Sequence, residues 1–238
     1  HKGQAIYGVG GGITWDSTWE SEYREVHQKA AVLYRKQARF QLITTGKISQ
    51  KSLLFEEQHL ERLTKASRYF AYPFDPENLR QRIEEECRAC ASHQDYRLRI
   101  ILSKSGEMEL SRQILTPLSP SFCKAKLCLQ EADLNQSFTY FKTTHRPHLS
   151  LGEQEKIYHN KSGELLETSI GNLVLKINGK LYTPPTSLGI LPGIYRQYLL
   201  ERGQVEEKVL TVADLNQAET IYGCNAVRGL YELEVNSK

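Results

Sequence analysis

No apolar run in the 238 residues approaches the roughly 20 needed to cross a bilayer. No basic leader stands before an apolar stretch in residues 1–15, so no signal peptide is expected there. An excess of one charge is missing too: 31 Lys and Arg against 28 Asp and Glu leave +3, too little for an electrostatic footprint on nucleic acid or a membrane surface. Cysteine is sparse and follows no ligand spacing. The five cysteines are odd in number, and Cys87-Arg-Ala-Cys90 lies in a helical pattern without a second CxxC, which favours buried helix cysteines over zinc or a redox pair. The glycines at 8, 10, 11 and 12 do not make a dinucleotide fingerprint, because Ile13 stands at the third spaced glycine and no helix opens directly after it. What remains is an ordinary globular composition, 39% hydrophobic and 25% charged, which excludes disordered, collagen-like and coiled-coil classes. A soluble, cytoplasmic protein of one large domain or two modest ones, with no metal site, is the expectation.

Ala5–Trp15 reads as a short strand broken by glycines. Asp16 or Ser17 then caps a helix, with Glu20 three residues past Ser17 as in a capping box. Trp19, Tyr23, Val26, Ala30 and Leu33 recur at helical spacing to about residue 34. The basic stretch Arg35–Arg39 reads as a joint. Phe40–Thr45 is a strand, and Leu54–Phe70 is a helix with Leu60, Leu63, Ser67 and Phe70 on one face. Asp75-Pro76 opens a further helix, its buried stripe formed by Leu79, Ile83, Cys87 and Cys90. Tyr96–Leu102 alternates as a strand, with Glu109–Leu115 and Lys124–Gln130 as its expected partners. Residues 117–141 are turn-rich and read as a linker between two lobes. Strands follow at Glu155–His159 and Leu173–Ile177, then an Asn178-Gly179 hairpin into Lys180–Tyr182 and a helix from Pro192-Gly193 to Gly203. A strand at Lys208–Leu210, a helix at Ala213–Ala218 and strands at Thr220–Cys224 and Leu230–Val235 complete the chain. The pattern is α+β in three parts: a strand–helix tail at 1–38, a small lobe at 39–135 and a larger lobe at 136–238.

Single residues say little about chemistry. Taken alone, Lys142 is a surface lysine beside Phe141, and Glu167 is a carboxylate in a small, polar, turn-forming run. The Gly189–Ile194 loop, entering a helix, offers free backbone N–H groups and a helix dipole to an anion, or is a plain helix entry.

Five segments taken in order carry more. His59-Leu60-Glu61-Arg62-Leu63, Phe141-Lys142-Thr143-Thr144, Glu167-Thr168-Ser169-Ile170-Gly171-Asn172-Leu173, Leu191-Pro192-Gly193-Ile194 and Asn225-Ala226-Val227-Arg228-Gly229 resemble the fold-type IV pyridoxal phosphate enzymes over residues 39–235. That family includes branched-chain and D-amino-acid transaminases and 4-amino-4-deoxychorismate lyase. The resemblance implies a two-lobed α+β fold and pyridoxal 5'-phosphate as cofactor. It implies that Lys142 bonds to the cofactor and later moves protons, and that Glu167 holds the pyridine nitrogen. Arg62, the backbone of Ile194 and Tyr195, and Asn225 would hold the phosphate. Thr45 matches an active-site threonine of the lyase, and Arg99, Arg146 and Arg228 are candidates for substrate carboxylates. Two features depart from the family pattern: His145 stands where Asn is usual, and Gln50–Leu54 replaces a glycine-acidic run.

Tyr7–Ser17, followed by Glu20, Glu22, Tyr23, Glu25 and Lys29-Ala30, resembles the last strand and helix of aminodeoxychorismate synthase component I. Glutamates of that helix help hold magnesium in the synthase; here Glu22 and Glu25 are expected to be solvated or structural. A synthase tail joined to a fold-type IV domain resembles fused synthase–lyase proteins of folate biosynthesis. The resemblance therefore implies a lyase forming 4-aminobenzoate and pyruvate, working as a homodimer, and fused to or partnered with the synthase. An aminotransferase of branched-chain or D-amino acids is the alternative, and a non-catalytic partner of a synthase the third reading.

Overall fold

Alternating side chains build the first sheet. In the computed structural model, which describes residues 6–34, 39–130 and 136–235, strand β1 (Leu42–Ser49) buries every second residue from Leu42 to Ile48. The chain divides into two units, His1–Arg39 and Phe40–Lys238.

In the first unit, helix α1 spans Trp19–Tyr34. Its cap is Thr18, one residue beyond the expected Asp16 or Ser17: Ser21 N–H donates to Thr18 Oγ1 at 3.3 Å and Thr18 N–H to Ser21 Oγ at 3.2 Å. Ser17 is engaged elsewhere, its hydroxyl donating to Glu22 at 2.6 Å. The expected strand at Ala5–Trp15 is absent over residues 6–14, Ala5 lying outside the described residues. A lone strand has no ladder to join, and glycines add entropy cost to extending it. Trp19 and Tyr23 at the start of the expected helix stripe are exposed, and Val26 and Ala30 are half-buried. Glu25 pairs with Lys29 on the surface. Of the basic joint, 35–38 lie outside the described residues.

The second unit starts with β1 and the short β2 (Ser52–Leu53), followed by α2 (Glu56–Phe70) and α3 (Pro76–Arg88). Phe55, at φ 59°, turns the chain into α2, which therefore begins two residues after the expected Leu54. Asp75 caps α3 by accepting from Glu77 and Asn78 N–H. Strands β3 (Tyr96–Leu102) and β4 (Met108–Ile114) complete a four-stranded sheet in the order β2-β1-β3-β4. Leu42, Ile48, Leu98, Ile100 and Leu102 pack beneath Leu60, Leu63, Leu79, Ile83, Cys87 and Cys90. The opposite face of β1 and β3 carries Thr45, Lys47, Arg97 and Arg99.

The rest of the unit comprises α4 (Pro120–Cys123), β5 (Lys124–Leu129), α5 (Gln136–Tyr140), β6 (Lys156–His159), β7 (Leu165–Thr168), β8 (Asn172–Ile177), β9 (Lys180–Thr183), α6 (Ile194–Glu201), β10 (Glu206–Glu207), α7 (Val212–Gln217), β11 (Thr220–Asn225) and β12 (Gly229–Val235). Its strands run β10-β9-β8-β11-β12-β5-β6-β7, and β7 pairs back onto β8, making a barrel-like ring. Asn178 and Gly179 both take positive φ in the β8–β9 turn, as an Asn-Gly hairpin requires.

Three further expectations are corrected. Lys124–Gln130 does not pair with Tyr96–Leu102; β5 runs parallel to β12 and β6 in the second sheet. Parallel partners are brought together by long crossovers, which local alternation does not announce. Lys208–Leu210 is not a strand: the ladder with β9 is confined to Glu206–Glu207, and after Lys208 N–H reaches the Thr183 carbonyl at 3.0 Å the chain crosses to β7, where the Leu210 carbonyl accepts Leu165 N–H at 2.7 Å. The expected linker at 117–141 contains α4, β5 and α5, with 131–135 outside the described residues. No helix among the described residues is long and apolar enough to cross a membrane.

Candidate active site

Lys142 follows α5 and lies along β1. Its carbonyl accepts Ile43 N–H at 3.1 Å, Thr144 N–H reaches the Gln41 carbonyl at 2.9 Å, and Thr143 bridges Leu42. Phe141 beside it packs on Tyr69 and Phe70, with ring centroids 4.6 and 5.3 Å apart. Burial, then the guanidinium groups of Arg62, Arg146 and Arg97, push the Lys142 ammonium down to about 7, against an opposing pull from Glu167. An amine in that range is part neutral and part charged near pH 7 and can both take and give a proton.

Arg62 sits on α2 and donates from Nη2 to the Pro192 carbonyl at 2.8 Å. Burial and the charge of Arg146 hold it down to about 10. One turn earlier on the same face lies His59, fully buried, its Nδ1 2.6 Å from Thr44 Oγ1. Burial, Arg62 and Lys142 push this imidazole down to about 3, so it is neutral at ordinary pH, and its Nε2 has no partner among the described residues.

Glu167 is buried near the end of β7, with Asn172 facing it at the start of β8. Arg146 Nη2 lies 3.2 and 3.3 Å from its two oxygens, and His148 Nε2 lies 3.9 Å away. Burial raises the Glu167 carboxyl, opposed by Arg146, by the Leu191 N–H that it accepts and by Lys142. His148 is pushed down to about 4 by burial, Arg146 and His145, and neither ring nitrogen has a hydrogen-bond partner among the described residues. Asn172 Nδ2 donates to the Leu191 carbonyl at 2.8 Å. Glu167 and Asn172 thus grip the two sides of Leu191, which leads through Pro192-Gly193 into α6. A side chain at Gly193 would collide with the Asn172 amide. Gly193 gives α6 no side-chain cap, so the amides of Ile194 and Tyr195 stand at an uncapped N-terminus, next to the Pro192 carbonyl that Arg62 holds.

The other expected residues lie around this centre. Thr45 pairs with Arg99 across β1 and β3, while Thr44 points into the core toward His59. Arg99 Nε is buried without a partner among the described residues. Arg228 donates to the Thr116 carbonyl and is held down by burial and by Arg97. Asn225 is committed to its own turn: its side-chain oxygen accepts Val227 and Arg228 N–H, each at 2.9 Å, and Nδ2 reaches the Ile170 carbonyl at 3.3 Å. Arg146, a carboxylate candidate, faces Glu167.

Sequence reasoning passed over Arg97, His59, His148 and Asn172. Arg97 was legible, since residues two apart on a strand share a face and Arg99 was already a candidate. The His59-x-x-Arg62 spacing likewise puts both groups on one side of a helix. His148 had no such signal.

The chain matches the family model described as Amino-transferase class IV over residues 41–233, and that described as chorismate binding enzyme over residues 1–35. It is 28% identical over 198 residues to the aminodeoxychorismate lyase of Saccharomyces cerevisiae, an alignment covering 61% of this chain and 53% of that one. The chain therefore spans about half the length of that relative. A solved Mesorhizobium loti structure, provisionally named an amino-acid aminotransferase, is similar with a TM-score of 0.71 and 26% identity over 82% of this chain and 99% of that one. A Haemophilus somnus structure, provisionally named a 4-amino-4-deoxychorismate lyase, shares the fold with a TM-score of 0.65 and 24% identity over 82% of this chain and all of that one. With most of residues 40–235 matched in sequence and in fold, the chain belongs to the class IV aminotransferase family of fold-type IV enzymes.

Proposed function

We propose that this protein is a pyridoxal phosphate-dependent lyase that converts 4-amino-4-deoxychorismate to 4-aminobenzoate and pyruvate. The observation that carries the reading is the presence, in one chain, of a chorismate-binding match at residues 1–35 and a fold-type IV unit with a depressed lysine among arginines. The same reading takes residues 1–38 as part of a chorismate-binding synthase, 39–135 and 136–238 as the two lobes, and the working assembly as a homodimer.

The residues present fit the cofactor that the family uses. The Nε atoms of Arg99 and Arg146 are buried with no partner among the described residues, as expected of a pocket lined for an anionic ligand. Arg62 and the amides of Ile194 and Tyr195 would hold the phosphate, with Asn225 shaping the adjoining turn. Glu167 would hold the pyridine nitrogen and Lys142 the aldehyde carbon. When bound, pyridoxal phosphate supplies an electron sink for a carbon attached to the substrate amine.

Lys142 then serves as the proton carrier. Its free amine takes the proton from the amine-bearing ring carbon, which its lowered pKa permits near pH 7. Loss of the enolpyruvyl oxygen leaves an aromatic ring, and a proton delivered to the departing fragment completes pyruvate. Arg97, Arg99 and Arg228 would fix the two substrate carboxylates, with Thr45 alongside. Arg146 faces Glu167 and opposes the upward push of burial on its carboxyl.

Incubation with 4-amino-4-deoxychorismate tests the reading: pyruvate and 4-aminobenzoate are expected in equal amounts. Rapid formation of the pyridoxamine form with D- or L-amino acids, without pyruvate release, would select the aminotransferase reading, which the likeness to the Mesorhizobium loti protein favours. A Lys142 peptide left unmodified by borohydride after cofactor loading would point to the non-catalytic one.

A further inference from the structure

Among the described residues two glutamates are buried, Glu167 and Glu155. Glu167 has Arg146 opposite it; Glu155 has no cation within ion-pair distance among the described residues. A buried carboxylate without a countercharge is costly unless donors surround it. Here they do. Glu155 Oε1 accepts Ser169 N–H at 2.8 Å and Lys156 N–H at 3.3 Å, and Oε2 accepts the Tyr231 hydroxyl at 3.0 Å.

Those donors lie on three elements. Glu155 and Lys156 stand at the start of β6, Tyr231 on β12, and Ser169 in the tip between β7 and β8. The Tyr231 ring reaches inward only because residue 223 on β11 is glycine; a side chain there would collide with it. The tip is closed by Thr168 N–H to the Gly171 carbonyl at 2.8 Å and Gly171 N–H to Thr168 Oγ1 at 3.0 Å. Glu167 and Asn172 flank this tip and hold Leu191, and with it the entry to α6.

We propose that Glu155 is a positioning residue: by clamping the β7–β8 tip through Ser169 N–H and the Tyr231 hydroxyl, it sets where the Glu167 carboxylate and the Leu191–Gly193 entry to α6 stand. The proposal rests on the cofactor reading above. The residue type follows from the donors. The two Glu155 oxygens serve three donors at once, whereas a leucine would serve none, leaving Ser169 N–H only the Lys156 carbonyl at 3.1 Å and Lys156 N–H only the Ser169 hydroxyl at 3.1 Å, contacts within the β6–tip pair that do not reach Tyr231 on β12. Glutamine keeps one oxygen for the two amides and can donate to the Tyr231 oxygen, so it preserves the clamp.

The test compares E155Q, E155L and Y231F with the wild type. It reads pyridoxal phosphate affinity by titration, the pH titration of the bound cofactor's absorption band, apoprotein thermal unfolding, and hydrogen exchange of the peptide spanning 190–195. E155Q is expected within about threefold of wild type in affinity, Y231F several-fold weaker, and E155L weaker by about tenfold or more. Y231F and E155L should also shift the pH titration and speed exchange at 190–195. Should E155L fail to fold, Y231F tests the Tyr231 arm of the clamp, since it removes the hydroxyl that links Glu155 to Thr168 of the tip, and wild-type affinity, pH titration and exchange in Y231F count against the proposal. Lower thermal stability with affinity, pH titration and exchange all at wild-type values overturns the proposal. Wild-type protein that takes up no pyridoxal phosphate refutes the cofactor reading instead, and exchange in apo Y231F then settles the clamp by itself, an unchanged rate at 190–195 counting against it.

Discussion

The two walls of the candidate site are held by opposite means. On the carboxylate side, the β7–β8 hairpin meets its needs internally: Glu155 serves three donors, Glu167 and Asn172 both hold Leu191, and the tip closes on itself. On the cationic side, Lys142, Arg62, Arg97 and Arg146 are forced together with one nearby carboxylate, Glu167, and several polar atoms there lack protein partners among the described residues. The first wall satisfies the hydrogen bonds of its two buried glutamates. The second stores like-charge repulsion that an anion would relieve, which is how a fold reserves a place for one.

The comparison can be broken most severely at its centre. K142M removes the amine, and release of pyruvate from 4-amino-4-deoxychorismate is expected to fall at least about a thousandfold, with borohydride trapping abolished. R62A should weaken pyridoxal phosphate binding by about a hundredfold in equilibrium titration, the scale of one charge-assisted contact. It also removes the largest charge acting on Lys142, so the rate–pH profile should move to higher pH.

The repulsion has a signature in stability. Lys142 is lowered in the folded protein from 10.5 to about 7, so between those values the unfolded chain holds a proton that the folded one lacks. Apoprotein stability should therefore rise by about 2 kcal/mol between pH 7 and 9 from this group alone, an increment that denaturant unfolding of K142M should lack. The smallest effect is expected at the rim: R97A should raise KM for the dicarboxylate substrate about tenfold with little change in kcat. An unchanged KM would confine the binding role to Arg99 and Arg228.

Much of the fold was legible where neighbours along the chain decide the outcome. Tyr96–Leu102 alternates and is a strand over that span; Asp75-Pro76 starts a helix by supplying a side-chain acceptor and a preset φ; Asn178-Gly179 turns because both residues tolerate positive φ. Patterning misled where a partner was needed. The glycine-rich start alternates well enough for a strand, yet its unit offers no ladder, and Lys124–Leu129 found its partners in the other sheet. At the site, the motifs led to Lys142, Arg62, Glu167 and Asn225, but not to the Arg146–Glu167 pairing or to Asn225 spending its side chain on its own turn.

By itself the sequence determined most of the helices and strands of residues 40–235, and which residue types of a known enzyme class occur in order. Those are set by backbone preferences and by periodicities of two and 3.6 residues, all local quantities. Only the tertiary structure decided which charges meet. Arg62 reaches the carbonyl of a residue 130 positions away, and Glu155 clamps a tyrosine 76 positions on. Burial and repulsion depend on distances between such remote groups, so the lowered pKa of Lys142 exists only once the chain has closed around it.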